Sequence, residues 1–357
     1  MKFGLAPFRC SKPPESNRSY AQIYQDAISF AKSAEKHGFD GVYAGEHHFW
    51  DTGFLPSPLT LCSAFAVATE DIDIGTSLAL APFYDPIRLA EEAAIIHCLS
   101  GGRFQLGLGN GYMDQEFEVF GVSKAERAKR TAETIEICKR AWQDEPTTYD
   151  GDVFQYEGVR VEPTPPSGGP PILLGGYSEP AVKRAARMAD GHLGVIKYPS
   201  DFVQDASTAR ANASYELFLE NARYFADAVD LDEFTIGVLQ YCHVAETDEQ
   251  AWEEFLPAFV SVRRQYARMA GGPDAPDWDL RPDNWDLETM SEERIELLRR
   301  GAVVGSPETV AARLREYARD TPGELLFIAE MMYPTFSPEQ QAESIRLFGT
   351  EVIPNVT

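Results

Sequence analysis

Lysine is scarce in this chain, with nine lysines against 23 arginines in 357 residues. Basic charge as a whole is short: 32 Lys and Arg face 56 Asp and Glu, for a formal net charge of −24. That balance disfavours nucleic acid, whose phosphates the surface would repel, and it disfavours an anionic membrane surface. An acidic, lysine-poor surface suits a high-salt cytoplasm, where ions screen self-repulsion; it equally suits an ordinary soluble acidic protein. Long apolar runs are missing, and none approaches the roughly 20 residues of a transmembrane helix. The start, "MKFGLAPF", is too short and too strand-like for a signal peptide. Cysteine is sparse and scattered, at Cys10, Cys62, Cys98, Cys138 and Cys242. Such a set makes neither a disulfide framework nor a zinc pattern and reads as reduced thiols of a cytoplasmic protein. A dinucleotide fingerprint is also lacking. "GLGNG" at 107–111 has no third glycine, and the acidic residues after it stand too close.

What the chain does have is alternation. Hydrophobic residues make up 44%, enough for a large core. Strand-like runs recur as "KFGLAPF", "DGVYAGEH", "DIDIGTSLALA", "RFQLGLGNG", "PPILLGG", "GHLGVI", "EFTIGVLQYCHVA" and "ELLFIAEMMY". Helix-period runs separate them, the second with Ser57 as N-cap and Pro58 at its first position, the third capped by Asp85 and Pro86. The fourth runs through "SKAERAKRTAETIEICKRAW". The strands lack period-two polarity, as expected of parallel strands covered on both sides. Eight such units predict an α/β protein, a (β/α)8 TIM barrel filling residues 1–357 as one domain. Insertions follow strands four and seven. Residues 144–169 read as a hairpin and linker, Lys197 to Thr208 as a loop, and Ala270 to Gly301 as either a lid or a surface excursion.

In a parallel barrel, chemistry sits where strands end and βα loops begin. "DGVYAGEHHFWDTG" at 40–53 places Glu46, His47 and His48 at such an end. Adjacent histidines chelate one ion poorly, and no second cluster has ligand spacing, so no metal site is expected. A histidine acid or base fits, because imidazole titrates near neutrality; two satisfied loop histidines remain the plain alternative. Glycines in "GLGNG" permit close backbone approach to a flat ligand or simply serve barrel packing. "GGYSEPAV" at 175–182 puts Tyr177, Ser178 and Glu179 at a helix start, which is either an anion site or an ordinary serine cap. Phe8, Phe49, Trp50, Phe54 and Tyr112 would form an apolar pocket wall, although core packing explains aromatics as well.

Along almost its whole length the chain resembles the bacterial luciferase-like flavin monooxygenases. The matching stretches are "EHHF", "ATEDIDIGTSLALAPFYDPIRLAEEAAIIHCLSGGRFQLGLGNG", "DQEFEVFG" and "LFGTEVIPNV", in order and spacing. The resemblance implies reduced FMN in the barrel mouth, with its phosphate at the helix after strand five. It further implies reaction of the reduced flavin with O2 to a C4a-hydroperoxide that oxygenates a small, apolar organic substrate. By position, His47 matches the family's catalytic histidine, with Glu46 or His48 orienting it. Ser77–Leu78 falls where a non-proline cis peptide underlies the flavin ring. Tyr177 and Ser178 match phosphate contacts. Gly109 stands where luciferases carry a reactive cysteine, and Asn110 where an arginine meets the phosphate; Arg127 matches a further arginine across a one-residue gap. A separate NAD(P)H flavin reductase and a homodimer, paired through helices near strands two to four, are implied partners. An F420-dependent oxidoreductase of the same superfamily is the alternative reading, and a non-catalytic flavin-binding protein is the alternative of another class.

Overall fold

The computed structural model describes residues 1–13, 16–196, 213–271 and 281–356. Its first part runs β1 (Lys2–Ala6), α1 (Tyr20–Lys36), β2 (Gly41–Ala44), α2 (Pro58–Ala68), β3 (Asp73–Thr76), β4 (Ala79–Leu80), α3 (Pro86–Leu99) and β5 (Phe104–Gly109). Next come α4 (Asp114–Phe120), α5 (Arg127–Ala141), β6 (Thr147–Asp150), β7 (Gln155–Val159), β8 (Ile172–Gly175), α6 (Glu179–Met188), β9 (Gly191–Val195) and α7 (Ala213–Ala228). The remainder is β10 (Thr235–Val244), α8 (Asp248–Ala270), α9 (Glu292–Gly301), β11 (Val303–Gly305), α10 (Pro307–Asp320), β12 (Leu325–Glu330), α11 (Pro338–Leu347) and α12 (Ile353–Val356).

Parallel pairing runs β12–β1–β2–β3–β5–β8–β9–β10 and returns from β10 to β12, closing an eight-stranded barrel. This is the (β/α)8 barrel expected from the alternation. The lumen is filled by Tyr43, Leu173, Leu193, Leu326 and Ile328, with Leu78 and Leu239 against them. Tyr43 fits only because Gly4, Gly41 and Gly75 surround it. A Cβ on any of the three would stand 2.7 Å from its ring. The outer core lies between strands and helices and is far larger, with Phe65, Phe104, Phe225 and Phe327 fully buried. No described helix is long and apolar enough to cross a membrane.

Several local expectations need correction. The third strand is not continuous: it stops at Thr76 and resumes as β4, which pairs with β5, while the Ser77–Leu78 peptide bond between them is cis, as the resemblance implies. Asp85 caps α3 through the Ile87 and Arg88 amides, but Ser57 makes no capping bond and instead meets the Thr60 hydroxyl at 2.8 Å. The helix read through Ser123–Trp142 begins only at Arg127, and a separate seven-residue helix, α4, precedes it. The hairpin after strand four is present as antiparallel β6 and β7. The insertion after β10 is larger than the sequence suggested. It includes α8 and α9 and has its own core, in which Phe255, Phe259, Trp285 and Leu298 are buried. The expected loop at 197–208 and the part of the expected lid at 272–280 lie outside the described residues.

Candidate active site

β2 delivers Glu46, His47 and His48 to the C-terminal rim of the barrel, and the chain then divides them. Glu46 is 4% exposed and fully occupied. Its Oε1 meets His48 Nε2 at 2.7 Å, and its Oε2 accepts the Leu80 amide at 2.8 Å and the Tyr84 hydroxyl at 3.0 Å. Burial, then the Glu46 carboxylate itself, hold the Tyr84 phenol in its protonated, donating form. Glu46 therefore ties β2 to the break between β3 and β4 and orients His48. The expectation that Glu46 or His48 orients His47 is wrong.

His47 has another partner. Its Nδ1 lies 3.0 Å from Oε1 of Glu116, a residue only 1% exposed, and the same oxygen accepts the His48 backbone N–H at 3.0 Å. A carboxylate oxygen that already serves as acceptor requires the proton on Nδ1. Nε2 is then left as the basic nitrogen, 3.4 Å from the Tyr112 hydroxyl. The ring is enclosed by Trp50, Phe54, Tyr112 and Tyr266, with centroids 4.8–5.6 Å away. This corrects the expected wall. Phe8 packs on Phe65 in the core, and Phe49, 42% exposed, stands by His48 and Phe120 instead.

Tyr266 arrives from α8, in the segment after β10. Burial raises its phenol pKa, and the Arg9 guanidinium, hydrogen-bonded to it, opposes that rise. Arg9 ends β1's loop and pairs with Glu330 at the end of β12; both are buried, and Arg9 also donates to the Met332 carbonyl at 3.2 Å. Glu116, Arg9, Glu330 and Tyr266 were not identified from sequence. Only Glu116 carried a signal, since it lies in "DQEFEVFG".

The residues expected to hold a cofactor sit on neighbouring strand ends. Leu78 enters the lumen beside Gly109 and Gly175, where an added Cβ would come within 3.1 and 2.0 Å of it. The glycines at these strand ends thus make room first for Leu78, so packing accounts for them without a ligand. Asn110 follows at the end of β5, its Oδ1 buried without a partner. Tyr177 and Ser178 are exposed at the start of α6, and Ser178 occupies the N-cap without making a capping bond. The turn before them is pinned from behind by His192 of β9, whose Nε2 meets the Gly176 carbonyl at 2.5 Å. Burial drives the His192 pKa down to about 4, so the ring donates there as the neutral form. Arg127 spends its guanidinium on the Lys124 carbonyl at 2.7 Å, within its own turn.

An orphaned amide oxygen and an unused N-cap hydroxyl fit a polar group with an anionic tail. The chain is 26% identical over 305 residues to 4-hydroxyprotoasukamycin monooxygenase of Streptomyces nodosus subsp. asukaensis, covering 83% of this chain and 77% of that one. It is 25% identical over 335 residues to the oxygenase component of flavin-dependent trigonelline monooxygenase of Acinetobacter baylyi, covering 89% and 86%. The fold matches that of monooxygenase RslO1 from Streptomyces bottropensis, with a TM-score of 0.81, 23% identity and full coverage of both chains. It also matches the oxygenating constituent of 3,6-diketocamphane monooxygenase of Pseudomonas putida in complex with FMN, with a TM-score of 0.72, 23% identity, and 100% and 99% coverage. An F420-dependent secondary alcohol dehydrogenase holding an F420–acetone adduct has the same fold, with a TM-score of 0.71, 19% identity, and 100% and 99% coverage. The luciferase-like monooxygenase family matches residues 1–322, and the chain belongs to that family.

Proposed function

We propose that the protein is a reduced-flavin-dependent monooxygenase that uses O2 to oxygenate a small, apolar organic molecule. The observation that carries this reading is the His47–Glu116 pair, a buried imidazole with one nitrogen held by a carboxylate and the other turned toward an aromatic enclosure. Reduced FMN, when bound, supplies two electrons to O2, so that one oxygen atom enters the substrate and the other leaves as water. Leu78 and Gly109 would border its ring, and Asn110, Tyr177, Ser178 and the first turn of α6 its phosphate. His47 Nε2 holds or releases a proton beside that ring, and Glu116 stabilises the protonated imidazole. Trp50, Phe54, Tyr112 and Tyr266 exclude water. Glu46 and His48 serve as positioning residues for the loop. We further read α8 as a wall of the site, through Tyr266.

The relatives named above favour oxygenation, and the phrase "oxygenase component" belongs to a protein that works with a separate reductase. An NAD(P)H flavin reductase is therefore the proposed partner, in the cytoplasm. Pairing into a homodimer would use α2 and α3, whose outer faces expose Val67, Ile95 and Leu99. A second reading, an F420-dependent oxidoreductase, is supported by the F420-dependent secondary alcohol dehydrogenase named above.

Isotope labelling separates the readings. Purified protein is mixed with reduced FMN or reduced F420 and candidate aldehydes, ketones or aromatics under 18O2. One 18O atom per product with FMN supports the monooxygenase. Turnover that needs F420 and consumes no O2 replaces it with the second reading, and binding of flavin without turnover points to a storage protein.

A further inference from the structure

Beside the mouth lies a cleft that the proposed oxygenation does not use. It is walled by the loop after β1, the inner face of α1 and the stretch from Met332 to Gln341 leading into α11. Ile23, Phe30, Met332 and Phe336 give it an apolar side. Among the described residues, the charged groups lining it are Arg9, Lys12, Arg18 and Asp26.

Three buried donors in this cleft have no partner among the described residues: Arg9 Nε, Ser11 Oγ and Gln341 Nε2. All three side chains are well buried, Arg9 at 4%, Ser11 at 6% and Gln341 at 3% exposure. The Gln341 orientation follows from its other end, since Oε1 accepts the Tyr333 N–H at 3.2 Å. Nε2 is then a donor with nothing to bind. The Lys12 ammonium meets only the Arg18 carbonyl, at 3.5 Å, and the Tyr20 ring, at 5.4 Å to its centroid. Arg18 pairs with Asp26, and Arg9 with Glu330. Buried donors left unmade carry a free-energy cost that an acceptor from a ligand would remove.

We propose that this cleft binds a small organic carboxylate with an apolar body. Its carboxylate would accept from Gln341, Ser11 and Lys12, and its body would lie on Phe30, Met332 and Phe336. A phosphate suits the cleft less, because both arginines are already committed to carboxylates and one ammonium remains. The described lining of the cleft includes neither His47 nor any of the four aromatic residues that enclose it. The proposal does not rest on the flavin reading.

Calorimetric titration of the full-length, cofactor-free protein tests it, with benzoate and hexanoate as probes and benzyl alcohol, hexanol and inorganic phosphate as controls. The carboxylates are expected to saturate one site. Lys12→Met and Gln341→Leu should each weaken them by about tenfold, the loss of one hydrogen bond to a charged partner. His47→Ala should leave them unchanged. Melting curves verify folding, and Lys12→Met, at a half-buried position, remains decisive if Gln341→Leu is unstable. Equal binding of the alcohols, stronger binding of phosphate, wild-type affinity in both variants, or loss of binding in His47→Ala would each overturn the proposal.

Discussion

Glutamine at position 116 keeps the size of the side chain and removes its charge. In the native site Oε1 takes the His47 Nδ1 proton and the His48 N–H, each at 3.0 Å, while Oε2 is buried without a partner. The amide carbonyl accepts the same two donors, so the loop keeps its shape. What disappears is the charge that stabilises a protonated His47. Hydrogen bonds to charged groups exceed neutral ones by about 1–1.5 kcal/mol. Glu116 is shielded from solvent, so the upper part of that range applies, and 1.4 kcal/mol is a factor of about ten. Glu116→Gln should therefore lower kcat by about tenfold with KM for the substrate unchanged. His47→Gln should cost on the order of 100-fold or more if the ring moves a proton. The informative measurement is the double-mutant cycle on kcat under saturating reduced cofactor. If Glu116 acts only through His47, adding Glu116→Gln to His47→Gln costs less than about twofold. Losses that multiply, or a Glu116→Gln enzyme with native turnover, would refute the argument.

Three further outcomes are expected. Ser178→Ala should weaken flavin binding by about 1 kcal/mol, near fivefold, by fluorescence titration; an unchanged affinity removes Ser178 from the phosphate site. His192 binds its proton more weakly folded, at a pKa of about 4, than unfolded, near the ordinary histidine value of 6.5. Its contribution is thus fully present above about pH 6.5 and declines down to about pH 4, for a loss of order 3 kcal/mol. Urea midpoints in His192→Gln should show a flatter slope across that window, and an identical slope contradicts the assignment. Finally, Arg9→Met leaves Glu330 buried and alone, and should destabilise by about 3–5 kcal/mol. The Arg9→Met, Glu330→Gln double variant should recover part of that loss in the same denaturation assay, whereas a larger loss would show that the pair is not coupled.

Much was legible from local pattern. The apolar runs lacking period-two polarity announced parallel strands covered on both sides, and their alternation with helices announced the barrel. The two histidines after Glu46 marked a strand end, and strand ends in such barrels face the mouth. The break at Ser77–Leu78 was legible only through resemblance, because nothing in "GTSLAL" distinguishes it from continuous strand. The short α4 escaped because seven residues span barely two turns, too few for a helical period to stand out. The extent of the insertion after β10 escaped because its core is shared by distant segments, with Phe255 and Trp285 packing into the same cluster as Tyr333.

Sequence by itself determined the barrel, the place of His47 on its rim, and the acidic charge balance, since each depends on composition or on neighbours a few positions apart. Only the tertiary structure decided which carboxylate serves which histidine. Glu46 was the obvious candidate beside His47, yet a side chain next in sequence points away, and closure of the barrel brought Glu116 across 69 positions instead. The same closure joined Arg9 to Glu330 and to Tyr266, because strands one and eight become neighbours only when the sheet meets itself. A period of hydrophobicity records which face a residue shows to the core; it holds no record of which distant face will stand opposite.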